Sequence, residues 1–425
     1  MQKSVEILGG GTVYHVRSHL ALSAPAYGTT ACRLRDLCGQ YSNKLDVNLH
    51  LTRMADPMFS TIETNEDVSK LVDKWIADVN VKIVFFNPAL VDFEGSIVGY
   101  SPVDGDVSTP SGKHETRLKT NEGVHEMYLV PADKLVSKIR ATRKDIFLVA
   151  FKTTCGATED EQYLAGLNLL KTSSCNLVLA NDTKTRMNMI ITPEEARYHV
   201  TTDRESALRN LVQMAYLRSH LTFTRSTVVA GEPIPWNSEL VPETLRDVVN
   251  GCIREGAYKP FNGATVGHFA CKVDEKTFLT SRRKTNFNDL EKLGLVKIET
   301  DGPDTVLAYG SKPSVGGQSQ RIVFEDHPEY DCIVHFHCPL KQDHFDDIPV
   351  VSQREYECGS HECGKNTSKG LKKFTMDGEN FFSAVYLQDH GPNIVFNRSM
   401  AASDLMQFIL ENFDLTDKTG GPVKL

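Results

Sequence analysis

The chain has 425 residues, 24% charged and 40% hydrophobic, the balance of an ordinary folded protein long enough for two domains. A net charge of −8, with no basic run beyond Ser281-Arg-Arg-Lys284, excludes a nucleic-acid footprint. The short semi-apolar start (Val5 to Leu8), the absence of any apolar run near eighteen residues and ten cysteines without framework spacing predict a soluble, cytoplasmic protein with reduced thiols, no signal peptide and no membrane partner.

The first half alternates strands and helices. Val5-Glu-Ile-Leu-Gly-Gly-Gly-Thr12 reads as a strand running into a glycine turn, whose N–H groups can cradle phosphate or simply turn the chain into a helix. It lacks the G-x-G-x-x-G dinucleotide spacing. A helix start follows at residues 28–34, then strands at 45–51, 81–86, 146–151 and 176–180, with helical patterns at 65–79, 132–141 and 159–170 between them. This rhythm predicts an α/β fold with a doubly wound, Rossmann-like parallel sheet, and ligands on such sheets bind beyond the strands' carboxyl ends. Asn87, Asp92, Lys152 and Asn181-Asp182 fall there. Residues 97–113, rich in Gly, Pro, Ser and Asp, read as a mobile flap, and the chain reads as helical from Ile191-Thr-Pro-Glu-Glu to Arg218. Residues 222–237 have a linker's composition.

The second half opens with an amphipathic helix over 242–256 carrying Leu245, Val248, Val249, Cys252 and Ile253 on one stripe. Strands are predicted at 267–273, 277–280, 295–299 and 305–309, a helix at 318–326, and a closing amphipathic helix at 399–413. In Asp331-Cys-Ile-Val-His-Phe-His337 a short apolar strand places His335 and His337 two residues apart, hence on one face. Two neutral imidazoles so placed suit zinc or another borderline divalent metal, although the pair alone also occurs in ordinary strands. A second strand, Val385-Tyr-Leu-Gln-Asp-His-Gly391, ends in a His-Gly turn and offers His390 as the third ligand. Three imidazoles plus an open position is the pattern of catalytic zinc. Cys358-Gly-Ser-His-Glu-Cys363 reads as a free-thiol hairpin near the active-site mouth.

Residues 1–220 resemble phosphopantothenoylcysteine synthetase, the coenzyme A pathway ligase, through Gly9-Gly-Gly-Thr12, Phe86-Asn-Pro-Ala-Leu-Val-Asp-Phe93, Lys113-His-Glu-Thr-Arg-Leu-Lys119, Leu148-Val-Ala-Phe-Lys152 and Leu177-Val-Leu-Ala-Asn-Asp182. The resemblance implies a nucleotide site, for CTP or ATP, at Gly10, Gly11, Thr12, Asp92, Arg117, Lys119, Phe151, Lys152 and Asn181. One position departs: Ala21 stands where that family keeps the Asn that supports the acyl-nucleotide. Losing such an amide typically costs orders of magnitude in rate, so nucleotide binding is expected here without ligase turnover.

Residues 241–425, after a linker at 221–240, resemble the class II aldolase/adducin family through Gly267-His-Phe-Ala-Cys-Lys272, Phe278-Leu-Thr-Ser281 and the two histidine strands. The resemblance implies an α/β/α domain with zinc on His335, His337 and His390, and a phosphorylated small-molecule substrate held by loops at Gly267, Thr280, Ser281 and Ser314; Arg282 beside the second loop adds positive charge that suits an anion, or belongs to a solvated basic turn. His268 replaces an Asn usual in the phosphate loop, and either contacts substrate or fills a polar slot. Gly316 occupies the position of the aldolases' catalytic acid. A dehydratase branch takes its base from the segment after the His-X-His strand, which points to Glu355 first and Glu357 second. The combined expectation is a metal-dependent lyase acting by aldol cleavage, dehydration or epimerisation. Alternatives are a coenzyme A pathway ligase with an accessory second half, and a non-catalytic adducin-like scaffold. Both families associate with themselves, so a symmetric homo-oligomer, tetrameric or dimer-based, is expected.

Overall fold

The computed structural model describes residues 2–101, 105–108, 110–302, 304–341, 347–375 and 380–421. The chain forms two compact units: one of residues 1–156, 165–190 and 199–219, the other of 157–164, 191–198 and 220–425. Among the described residues no helix is long and apolar enough to cross a membrane.

The first unit is built on a seven-stranded sheet in the order Arg197–Thr201, Asn188–Ile191, Leu177–Asp182, Phe147–Thr154, Val81–Ala89, Lys3–Gly11, Leu45–Leu51. The last five of these strands pair in parallel. Their near-continuous apolar runs (Ile83 to Phe86, Phe147 to Ala150, Leu177 to Ala180) are buried, as strands covered on both faces require. Helix Asn65–Ala77 starts at a capping box, in which the Thr64 side chain takes the Asp67 N–H and Asp67 takes that of Thr64.

Three expectations change. The region read as a flap contributes strands Phe93–Ser101 and Gly105–Ser108, which form an antiparallel three-stranded sheet with Glu126–Pro131; its residues 102–104 and 109 lie outside the described residues. Loop-like composition there hides a strand anchored by buried Ile97. The helix expected from Ile191 begins only at Arg204, capped by Asp203; before it the chain makes a turn and strand Arg197–Thr201. Part of the linker-like stretch, Arg225–Val229, is an edge strand pairing in parallel with Thr305–Tyr309.

The second unit is a ten-stranded, mainly antiparallel sheet. From the Arg225–Val229 edge it runs Thr305–Tyr309, Val296–Thr300, Thr277–Thr280, His268–Lys272, Cys332–His335, Gly391–Phe396, Phe381–Leu387, Val350–Val351, and Lys372–Thr375 also pairs with Phe381–Leu387. Side chains alternate across it with period two. Phe269, Val334 and Ile394 join a core with Leu245, Val249, Leu405 and Ile409 of helices Glu243–Arg254 and Ala402–Asn412. Ala270, Ile333 and Val395 pack on the other face with Val323 and Phe324 of helix Val315–Asp326. The result is the expected α/β/α sandwich, and its central strand carries the first histidine.

A three-imidazole candidate metal site

His335 ends strand Cys332–His335, with His268 opposite it on one side and Asn393 on the other. His337 lies two residues further on, and His390 in the turn between strands Phe381–Leu387 and Gly391–Phe396. Two glycines allow the approach. Gly391 has φ +151°, and a Cβ there would run into the Phe336 carbonyl oxygen. At Gly267, φ +114°, a Cβ would lie 2.6 Å from the His335 carbonyl oxygen. Only glycine accommodates both the backbone angle and the contact. The His-Gly turn thus presses His390 against the His-X-His segment.

All three rings are buried, and one nitrogen of each lies within 4.8 Å of the others. His335 Nδ1 sits 2.7 Å from the Pro392 carbonyl oxygen, so Nδ1 carries the proton and Nε2 offers its lone pair. That Nε2 is 3.2 Å from His390 Nε2. Two nitrogens each about 2.0–2.1 Å from a tetrahedral zinc stand about 3.3 Å apart, so the spacing fits a shared cation. Nδ1 of His390 is buried without a hydrogen-bond partner among the described residues. Burial first, then the neighbouring imidazoles, hold His335 and His390 well below the usual histidine range, which keeps them in the neutral, ligating form. The flanking Cys332 and Cys338 are thiols rather than thiolates, because burial pushes Cys338 up to about 12 and Cys332 well up. The donor set is therefore three imidazole nitrogens, which suits zinc or a similar divalent ion.

A fourth histidine lines the site. His268 stacks on His335 with ring centroids 4.6 Å apart and bonds Gln320 through Nδ1. Burial, with His337 nearby, lowers it to about 3, so it is neutral as well. The phosphate-loop candidates follow from it across the sheet. Thr280 donates to the Phe269 carbonyl at 3.1 Å, as does the Ser281 N–H, and the Ser314 N–H donates to the Ser281 carbonyl at 3.0 Å. Ser281 Oγ is fully buried with no partner among the described residues. Arg282 donates to the Leu293 carbonyl at 2.9 Å. Gly267, His268, Ser281 and Ser314 thus form one contiguous tract with the three imidazoles, while the Thr280 hydroxyl and the Arg282 guanidinium are tied to backbone.

The other candidates are placed as follows. Gly316 is in helix Val315–Asp326. Glu355 is half-buried, bonded by Ser352 at 2.5 Å and Arg354 at 3.2 Å. Burial raises its pKa, but the bonds to Ser352 and Arg354 outweigh that and hold it below the usual carboxylate range. The Glu357 carbonyl accepts the Ser360 N–H at 3.1 Å. The segment read as a thiol hairpin is instead a helix start, because Ser360 caps His361–Gly370 by accepting the Cys363 N–H. Glu195, expected in a helix rather than at the site, lies 3.4 Å from His337 Nδ1 and 3.1 Å from Lys418 Nζ. Its signal was masked: Thr192-Pro-Glu-Glu195 has the composition of a helix N-terminus, yet it forms a turn.

In the first unit, a cavity of about 610 Å³ opens beyond the carboxyl ends of the parallel strands. Gly10, Asp92, Phe151, Lys152 and Asn181 line it, together with Arg204. Asp92 pairs with Lys134 at 2.6 Å. Gly11 and Thr12 are turned inward: their N–H groups bond the Ala26 and Ala89 carbonyls, and the Thr12 hydroxyl bonds Asn65. Arg117 and Lys119 are exposed and do not line the cavity.

Residues 249–413 match the family model of the Class II Aldolase and Adducin N-terminal domain, which covers less than half of the chain. The matched segment lies within the second unit, and all three imidazoles lie within it. No curated protein matches the chain. Among solved structures, the DNA/pantothenate metabolism flavoprotein from Streptococcus pneumoniae is similar over 51% of this chain and 100% of its own, at 16% identity and a TM-score of 0.40. The C-terminal domain of the coenzyme A biosynthesis bifunctional protein CoaBC is similar over 51% of this chain and 96% of its own, at 13% identity and TM-score 0.35. L-fuculose 1-phosphate aldolase is similar over 41% of this chain and 83% of its own, at 18% identity and TM-score 0.30.

Proposed function

We propose that the second unit is a divalent-metal-dependent lyase of the class II aldolase type. It acts by aldol cleavage, dehydration or epimerisation on a small phosphorylated carbonyl or polyol compound. The observation that carries this reading is the buried cluster of His335, His337 and His390 with its nitrogens within 4.8 Å. A zinc ion held there supplies Lewis acidity to the substrate's carbon–oxygen bonds. The surrounding residues do the rest. The unpartnered Ser281 hydroxyl and the adjacent Ser314 and Gly267 receive the phosphate, and His268, neutral and stacked on His335, borders the carbonyl end. With Gly316 carrying no acid, Glu355 is the base: its partners keep it ionised, hence able to accept a proton.

The reading is tested by offering the full-length protein a panel of ketose phosphates, aldose phosphates and phosphorylated polyols. Turnover of at least one should stop with a chelator and return with zinc. Metal-replete protein that converts none of them would remove the lyase assignment.

The cavity at the strand ends supports nucleotide binding by the first unit, in the region of Gly10, Asp92, Phe151, Lys152 and Asn181. Calorimetry of the full chain with millimolar CTP or ATP should raise the first unit's transition by mass action, by several degrees if the ligand is at about a hundred times its Kd. No shift with either nucleotide would contradict the reading. A symmetric oligomer remains part of the proposal.

A further inference from the structure

The three imidazoles belong to the family-matched segment, but the charged groups against His337 come from outside it. Glu195 precedes that segment by more than fifty positions, and Lys418 follows it. Both belong to the same compact unit as the histidines. Glu195 stands in a tight turn whose N–H donates to the Thr192 carbonyl at 2.9 Å, and its φ is +69°, a region that side chains other than glycine rarely adopt. The turn is clamped: the Glu195 carbonyl accepts the Tyr163 hydroxyl at 2.7 Å, and Gly420 packs against it so closely that a Cβ would not fit. The clamp aims the carboxylate inward, where it is 2% exposed, against His337 Nδ1 and Lys418 Nζ. Lys418 is equally enclosed, and the next residue is fastened to the site, since the Thr419 N–H donates to the His337 carbonyl at 3.1 Å.

Burying an ion pair is a poor route to stability, because desolvation offsets the attraction. A strained backbone holding such a pair against one imidazole indicates a functional constraint. Metal-ligating histidines are commonly oriented by a carboxylate at their other ring nitrogen.

We propose that Glu195 and Lys418 form the outer shell of the metal centre. Glu195 accepts the Nδ1 proton of His337 and so presents its Nε2 lone pair to the cation; Lys418 fixes the carboxylate and balances its charge. The sequence ahead of the aldolase-like segment is then a working part of that segment's metal site. This inference rests on the three-imidazole reading.

The test compares full-length wild type with Glu195→Gln and Glu195→Gln/Lys418→Met. The double variant removes both buried charges together, so it folds even where the single one, left with an unbalanced ammonium, does not. Zinc affinity is measured by chelator competition, ligand geometry by the visible spectrum of the cobalt-loaded protein, and stability by the melting temperature of the metal-free form. Both variants should bind zinc about 10- to 100-fold more weakly and show an altered cobalt spectrum. Unchanged affinity and spectrum in a folded variant, whatever the melting temperature, would overturn the proposal, as would failure of both variants to fold, since the pair would then be structural. Wild type that binds no zinc would instead overturn the metal reading beneath it.

Discussion

His335→Ala combined with His337→Ala is expected to take the metal content of the purified protein from about one divalent ion per chain to background. Two of three ligands are removed, and the remaining His390 is a single imidazole in a buried pocket, which cannot hold a divalent ion by itself. Because His335 Nδ1 also bonds the Pro392 carbonyl, the variant loses a strand-to-strand contact and some stability with it. Metal content is therefore read on folded protein, checked by circular dichroism. A folded double variant that keeps its full complement of metal would place the ion elsewhere in the chain.

Glu355→Gln should lower turnover of the true substrate by about a hundred- to ten-thousand-fold, the usual contribution of a general acid–base group. Metal content should not change, since the carboxylate is not part of the three-imidazole set. The substitution keeps the shape of the side chain and its bond to Ser352, while weakening that to Arg354. A loss confined to KM would show Glu355 to be a binding group, and an unchanged rate would pass the role to Glu357 or to another proton carrier.

The parts of this structure that were legible in the sequence are those with strong periodicity or tight chemistry. Runs such as Phe147 to Ala150 and Leu177 to Ala180 name buried parallel strands without help from tertiary context. The two histidine stretches give the three-imidazole cluster, because alternation fixes the face of His335 and the His-Gly turn marks a close approach. Less legible are features decided by distant partners. Arg225–Val229 carries Ser, Thr and Val beside a proline-containing stretch, and becomes a strand only by pairing with Thr305–Tyr309 eighty residues away. Thr192-Pro-Glu-Glu195 offers a cap, a proline and two acids in helix-start order, so local propensity points to a helix. The turn seen instead is held by the Tyr163 hydroxyl and by packing of Gly420, neither of which is near in sequence. The same non-local contacts bring Glu195 to His337, more than a hundred positions away, and for that reason spacing along the chain gave no sign of it.

His335, His337 and His390 are proposed to share one divalent cation. Anomalous scattering at the zinc edge from crystals of the full-length, zinc-loaded protein tests it directly. One peak is predicted in the second unit, about 2.0–2.1 Å from a nitrogen of each of the three imidazoles. Zinc-loaded crystals with no peak at the three rings, or with the ion bound instead at Cys358 and Cys363, would contradict it.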